Sequence, residues 1–158
     1  MRRADVITIS TRAAAGVYAD DAGPAVAEVL RGAGFLVGDV RVVPDGRAVV
    51  ATELRDACEQ ADLVVTTGGT GLHPRDETPE ATSDIIDRPV PGISEAMRSA
   101  SLQITPMAML SRGTAGIRGT TLVINLPGSP KAAVENLHAI VPVLGHAMEQ
   151  LAGGDHDR

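Results

Sequence analysis

Three short apolar runs constrain this chain more than anything else in it: residues 6–10 (VITIS), 36–43 (LVGDVRVV) and 62–67 (DLVVTT). Each is too short for a core helix and rich in β-branched residues, so each reads as a strand. Helical spacing fills the gaps. Val26, Val29 and Leu30 stand at i, i+3 and i+4, and Gly32 and Gly34 mark the end of that segment. Residues 49–60 read as a second helix, after the turn chemistry of Pro44-Asp45-Gly46. Strands that alternate with helices predict a mostly parallel sheet covered on both faces, a three-layer α/β/α fold.

The remainder extends that pattern. Thr78 reads as a helix cap with Pro79 at the first helical position, and the helix runs to about residue 86. Pro91-Gly92 opens another helix through Met97. Residues 108–117 and 120–126 read as a hairpin around Arg118-Gly119. Ser129-Pro130 repeats the cap-then-proline pattern, and Val134, Leu137, Val141, Leu144, Met148 and Leu151 form a helical stripe that Pro142 is expected to kink or split. Residues 11–23 read as a loop, and 153–158 (GGDHDR) as a frayed polar tail. No repeat or long linker interrupts the 158 residues, so one domain is expected over 1–158. A chain of this length buries roughly 70% of the surface its unfolded form exposes.

Composition removes several function classes. Net charge is −6 with no basic run, and Tyr18 and Phe35 are the only aromatics. Neither phosphate-backbone binding nor base stacking is provided for, so no nucleic-acid partner is expected. The single Cys58 excludes an internal disulfide and reads as a small core residue. No run approaches the ~20 apolar residues of a membrane span, and the MRRADVITIS start is too short for a signal-peptide core. A cytoplasmic setting without membrane contact is expected.

In an open parallel sheet, ligands bind beyond the carboxyl ends of the strands. Four loops of this chain fall there: Ser10-Thr11, Pro44-Asp45-Gly46, Gly68-Gly69-Thr70-Gly71 with the acids after it, and Pro127-Gly128-Ser129. Successive glycines let backbone N–H groups converge on an anion, and Thr70 adds a hydroxyl. The loop has neither the Walker nor the dinucleotide spacing, and a turn needed only for chain geometry explains it equally well. Pro127-Gly128-Ser129 precedes a helix N-terminus, where Ser129 either caps or meets an anion, and Lys131 stands just inside the helix. Asp45 reads equally as a turn residue. Asp76 reads equally as a partner of Arg75 or Arg112.

The stretch TTGGTGLHPRDETPEAT thus joins a phosphate cradle to acids. A carboxylate about 4 Å from a phosphate charge costs ~4 kcal/mol at an effective dielectric near 20. A divalent cation removes the conflict, and Mg²⁺ is usually held by one or two carboxylates with substrate phosphates and waters. Asp45 and Asp76 are therefore the candidate metal ligands, and a Mg-nucleotide or similar polyphosphate is the candidate ligand. His73, His138, His146 and His156 show no metal-ligand spacing, and no G-x-S-x-G elbow is present. Ser10, Ser111 and Ser129 have no evident base partner.

Taken in order, TISTRAAAGVYADDAG, TTGGTGLHPRDETPEAT, PGISEAMR, ITPMAMLSRGTAGIRG and TLVINLPGSPK resemble the molybdopterin adenylyltransferase family, which includes bacterial Mog and MoaB proteins and the gephyrin G domain. The resemblance covers nearly the whole chain. It implies the three-layer fold, assembly as a homotrimer, and Mg-ATP-dependent transfer of AMP to the terminal phosphate of molybdopterin with release of pyrophosphate. A molybdate-insertion enzyme would take the product. By the same resemblance, Asp45 and Asp76 are the essential carboxylates and Mg²⁺ ligands. Ser10, Thr11, Gly68, Gly69, Thr70, Gly71, Ser111, Pro127, Gly128 and Ser129 line the substrate site. One departure stands out: the family often has Ser-Asp where this chain has Ser10-Thr11. The alternative reading is a MoaB-type carrier that binds molybdopterin without adenylylating it.

Overall fold

The structure, a computed structural model, describes residues 1–154. Among them a seven-stranded sheet forms from β1 (Arg3–Ile9), β2 (Leu36–Val37), β3 (Arg41–Val43), β4 (Leu63–Thr67), β5 (Arg88–Pro89), β6 (Ala115–Arg118) and β7 (Thr121–Leu126), in the order β2-β1-β4-β7-β6-β5, with β3 also paired to β1. Pairing is parallel from β2 and β3 through β1 and β4 to β7, and antiparallel at the β7-β6-β5 end. The register sets Val6 beside Val65 and Val65 beside Ile124.

Side chains alternate across this sheet, so the central strands feed two cores. Ala4, Val6, Leu63, Val65, Leu122, Ile124 and Leu126 pack on one face against α2 (Ala22–Gly32), α5 (Pro91–Leu102) and α6 (Pro130–Leu151). Ile7, Ile9, Val64 and Val123 pack on the other against α3 (Arg47–Cys58) and α4 (Thr78–Ile85). This is the expected three-layer α/β/α fold with a mostly parallel sheet. Leu137 and Ile140 of α6 are fully buried, and truncating either to alanine should cost about 2–5 kcal/mol. Of the polar groups that enter the core, Ser94 Oγ has no hydrogen-bond partner among the described residues, whereas Asn125 is fully engaged. The Asn125 Nδ2 donates to Thr66 Oγ1 (3.1 Å) and Thr82 Oγ1 (2.9 Å), tying β7 to β4 and α4.

Several elements differ from the sequence reading, each for a local reason. The run 36–43 is two strands interrupted at Gly38-Asp39-Val40, and both halves pair with β1, one at each end. The predicted hairpin strand from residue 108 starts only at Ala115. Before it, Pro106–Leu110 make a 3₁₀ turn, and the Arg112 N–H bonds to Thr70 O (2.8 Å) instead of to β7. Thr78 is not the cap of α4, because its hydroxyl donates to Gly68 O (3.0 Å) and Glu77 takes the capping position. A four-residue helix, α1 (Thr11–Ala14), lies in the predicted loop. The short edge strand β5 carries no pattern that marked it. α6 continues unbroken through Pro142, which lies on its exposed side. At the tail, α6 ends at Leu151, and the N–H groups of Gly153 and Gly154 donate back to Gln150 O and Glu149 O. Positions 155–158, with His156, lie outside the described residues.

Candidate active site

Strand β1 stands between β2 and β3 on one side and β4 on the other, and chain connections leave in opposite directions there. That arrangement opens a crevice at the carboxyl ends of the strands. Ser10-Thr11 follows β1, Asp45 follows β3, the glycine loop follows β4, and Pro127-Gly128 follows β7. The topology thus brings the four predicted loops to one edge.

The glycine loop owes its shape to two close approaches. Gly68 has φ +91° and a Cβ there would stand 2.3 Å from Ile9 O; Gly69 has φ +67° and its Cβ would stand 2.2 Å from Thr78 Oγ1. Both positions combine a left-handed backbone with no room for a side chain. The turn requirement is therefore real. It leaves the other half of the loop's chemistry unexplained. The carbonyls are all engaged: Gly68 O by the Thr78 hydroxyl, Gly69 O by Thr78 N (3.1 Å), Thr70 O by Arg112 N (2.8 Å) and Gly71 O by Arg112 Nε (2.8 Å). The Gly68 N–H donates to Leu126 O (3.1 Å). Among the described residues, no protein acceptor meets the N–H groups of Gly69, Thr70 and Gly71. Three adjacent free donors with their carbonyls engaged are the kind of donor set that an anion cradle uses.

The two predicted carboxylates flank this loop. Asp45 Oδ1 lies 3.4 Å from the point a Cβ on Gly69 would occupy, and Asp76 Oδ2 lies 2.8 Å from the equivalent point on Gly71. The small residues thus leave space for the acids. Asp45 Oδ2 accepts from Thr11 N (3.0 Å) and Thr11 Oγ1 (2.8 Å). Asp76 Oδ2 accepts from His73 N (3.2 Å), and its carboxylate pairs with neither Arg75 nor Arg112. Both acids are half-buried. Two carboxylates beside free phosphate donors suit a hard, oxygen-seeking cation such as Mg²⁺. Among the described residues, no group of three or more His, Cys, Asp or Glu forms a metal cage, so phosphate and water oxygens would complete the shell.

Three cavities meet here. The first, about 420 Å³, is lined by Gly68 to Gly71, Asp76, Ser111, Pro127 and Gly128, and by Met107 and Leu110 of the 3₁₀ turn region. The second, about 360 Å³, is lined by Ser10, Asp20, Asp45, Gly68, Gly69, Asp76 and Gly128. The third, about 510 Å³, is lined by Ser10, Thr11, Asp45, His73, Arg75 and Asp76. Asp76 borders all three, and the Gly68-Gly69 ridge with Gly128 separates the first two. Such a geometry suits two ligands that meet end to end at Asp76. Ser129 is different: its Oγ accepts from Ala132 N (3.3 Å) as a cap of α6, and it lines none of these cavities. Lys131 likewise lies outside them and pairs with Glu135 at 3.9 Å.

Arg112 was visible in sequence as a possible partner of Asp76 and as part of the Leu110-Ser111-Arg112 segment of the family resemblance. Its guanidinium instead donates to Gly71 O (2.8 Å) and Asp76 O (2.6 Å) and pairs with Glu80 at 2.5 Å. With both side chains about a third exposed, the ion pair itself contributes about 1 kcal/mol or less. Its larger effect is to aim a planar fork at two carbonyls of the loop. Arg98 ties Ser111 O (3.2 Å) and Gly113 O (2.9 Å) to α5. Asp20 reaches the second cavity while accepting from Thr8 Oγ1 (2.7 Å) and Gly23 N (3.0 Å). The Asp20–Thr8 and Arg112–Gly71 partners lie 12 and 41 positions apart in sequence, beyond any local pattern. Cys58 lies on α3, where burial pushes its thiol up to about 11, so it is a neutral packing residue at ordinary pH. The Arg47 hydrogen bond holds the Asp84 carboxyl below its usual range, on an exposed α3–α4 contact away from the crevice.

A doubly covered parallel sheet with an anion cradle and two carboxylates at its switch point defines a class of phosphate-handling α/β proteins. Within that class, the model of the family described as "probable molybdopterin binding domain" matches residues 5–146, and the chain belongs to this family. The molybdopterin adenylyltransferase of Helicobacter pylori strain J99 is 43% identical over 154 residues, 94% of this chain and 86% of that protein. The molybdopterin biosynthesis enzyme MoaB from Thermus thermophilus superposes with a TM-score of 0.91 at 48% identity, covering 97% of this chain and 98% of that one. The molybdopterin biosynthesis Mog protein from Mycobacterium ulcerans gives 0.90 at 45%, covering 96% and 99%.

Proposed function

We propose that this chain is a molybdopterin adenylyltransferase of molybdenum cofactor biosynthesis. It transfers AMP from ATP to the terminal phosphate of molybdopterin. The observation that carries this reading is the free N–H cradle of Gly69, Thr70 and Gly71 set between Asp45 and Asp76 where three cavities join.

An oxygen of the molybdopterin phosphate bonds to the α-phosphorus of ATP, the bond to the β-phosphate breaks, and pyrophosphate leaves. Chemistry of this kind depends on positioning and on neutralising charge. The cradle donors would bind phosphate oxygens, and the Thr70 hydroxyl adds one donor at the wall of the first cavity. Asp45 and Asp76 would hold Mg²⁺, which when bound offsets the negative charge on the phosphates. Ser10 and Thr11 wall the third cavity, and Ser111, Pro127 and Gly128 the first. Arg112 and Thr78 engage the loop carbonyls, which would leave the donors for the ligands.

The reading extends to a cytoplasmic homotrimer whose product passes to a molybdate-insertion enzyme. Ile104 and Met109, exposed apolar residues outside the three cavities, are part of the surface we assign to self-association. Among the described residues no helix is long and apolar enough to cross a membrane. Incubation with molybdopterin, ATP and Mg²⁺ tests the activity. Adenylylated molybdopterin with matching pyrophosphate is expected; tight molybdopterin binding without either product would make the chain a carrier instead.

A further inference from the structure

We infer that Thr11 is a positioning residue that fixes Asp45 with one oxygen anchored and the other presented to the glycine loop. The inference rests on the reading of Asp45 as a metal ligand. Its basis is a closed pair of bonds between two strand ends. Thr11 Oγ1 donates to Asp45 Oδ2 (2.8 Å), and the same hydroxyl accepts from Asp45 N (3.1 Å). The Thr11 N–H adds a second donor to Oδ2 at 3.0 Å. Asp45 Oδ1 has no hydrogen-bond partner among the described residues and lies 3.4 Å from the point a Cβ on Gly69 would occupy.

A hydroxyl is the group this arrangement requires, because it donates to the carboxylate and accepts from the backbone at once. Valine has the same shape and does neither. An ionised aspartate at position 11 accepts only, and would set a like charge against Oδ2. The anchor is itself held: Ser10 N bonds to Val43 O (2.9 Å), and Ser10 Oγ caps α1 by accepting from Ala13 N (3.2 Å). The backbone bearing Thr11 is therefore fastened to β3, the strand that leads to Asp45. Groups that orient a metal-binding carboxylate in this way typically change metal affinity or activity about 10–100-fold when removed.

The test compares wild type, Thr11→Val and Thr11→Ser. Mn²⁺ alone is titrated against each, followed by electron paramagnetic resonance of the free ion. Crystal structures give the Asp45 rotamer, and adenylyl transfer gives kcat and KM. Thr11→Val should lose about 10–100-fold in Mn²⁺ affinity and in kcat, with Asp45 turned from its present rotamer, while KM for molybdopterin stays within about twofold. Thr11→Ser should restore all of these, which a merely structural loss of the threonine methyl would not allow. The inference is overturned if Thr11→Val keeps the rotamer and the affinity, or if Thr11→Ser behaves like Thr11→Val. If wild type transfers no AMP, the proposed function fails and Mn²⁺ affinity still decides the role of Thr11. If wild type binds no Mn²⁺, the metal reading beneath the inference fails with it.

Discussion

Two turns of this molecule are made of the same residue types and do opposite things. The β6–β7 turn has a glycine with positive φ (Gly119, +58°), an arginine, an aspartate and a threonine nearby. Its polar groups close on the protein. Gly119 N donates to Asp87 Oδ2 (2.7 Å), Arg118 to Ile85 O (2.8 Å) and Thr121 Oγ1 to Ala61 O (2.7 Å). The loop after β4 has Gly68 to Gly71, Thr70 and Asp76, with Arg112 packed against it from the segment before β6, yet the N–H groups of Gly69 to Gly71 and one oxygen of Asp76 stay open. The comparison teaches that composition does not separate a structural turn from a binding loop. What separates them is where the partners lie. In the closed turn the acid is bonded to the glycine N–H; in the open one Thr78 and Arg112 take the carbonyls and leave the donors.

The difference can be broken experimentally, and the largest effect belongs to the open loop. Asp76→Asn should fold normally by circular dichroism and lose roughly 100-fold or more in the rate of AMP transfer, as removal of a charge-stabilising group typically does. Normal turnover would take Asp76 out of the chemistry. Gly68→Ala comes next. With a left-handed φ and a backbone oxygen in the way, it should cost about 2–3 kcal/mol in urea unfolding and abolish transfer. Arg112→Lys keeps the charge facing Glu80 and loses the fork. We expect a drop of about 10-fold in kcat/KM and about 1 kcal/mol of stability. Gly119→Ala is the control in the closed turn. No atom crowds its Cβ, so the cost should be about 1–2 kcal/mol from backbone strain alone, with transfer unchanged.

A final, smaller effect is a pH dependence on the closed side of the molecule, where Cys58 O is also near Thr121 Oγ1 (3.1 Å). Burial raises the Cys58 thiol from 9.0 to about 11. Between those values the unfolded chain has already lost the proton that the folded chain retains. The contribution is therefore complete below about pH 9 and is lost as pH rises toward 11. Unfolding midpoints measured across that window should fall for wild type and flatten for Cys58→Ala.

The layers were legible in sequence because periodicity reports burial, and the central strands β1, β4 and β7 are buried on both faces. The loops of the site were legible because they follow those strands. What stayed hidden depended on partners distant in sequence. Thr78 looks like a cap until the Gly68 carbonyl, ten positions away, takes its hydroxyl. Residues 108–114 look like a strand until Arg112 bonds to the glycine loop. Ser129 kept the capping role its position announces, and Thr11, whose lost charge set it apart in sequence, proved to be bonded to Asp45.

The most direct test sets wild type beside Asp76→Asn with molybdopterin, ATP and Mg²⁺, and measures pyrophosphate and adenylylated molybdopterin together. The account predicts equal amounts of both products from wild type and almost none from the variant. Equal turnover by the two proteins, or a wild type that binds molybdopterin and releases no pyrophosphate, would contradict it.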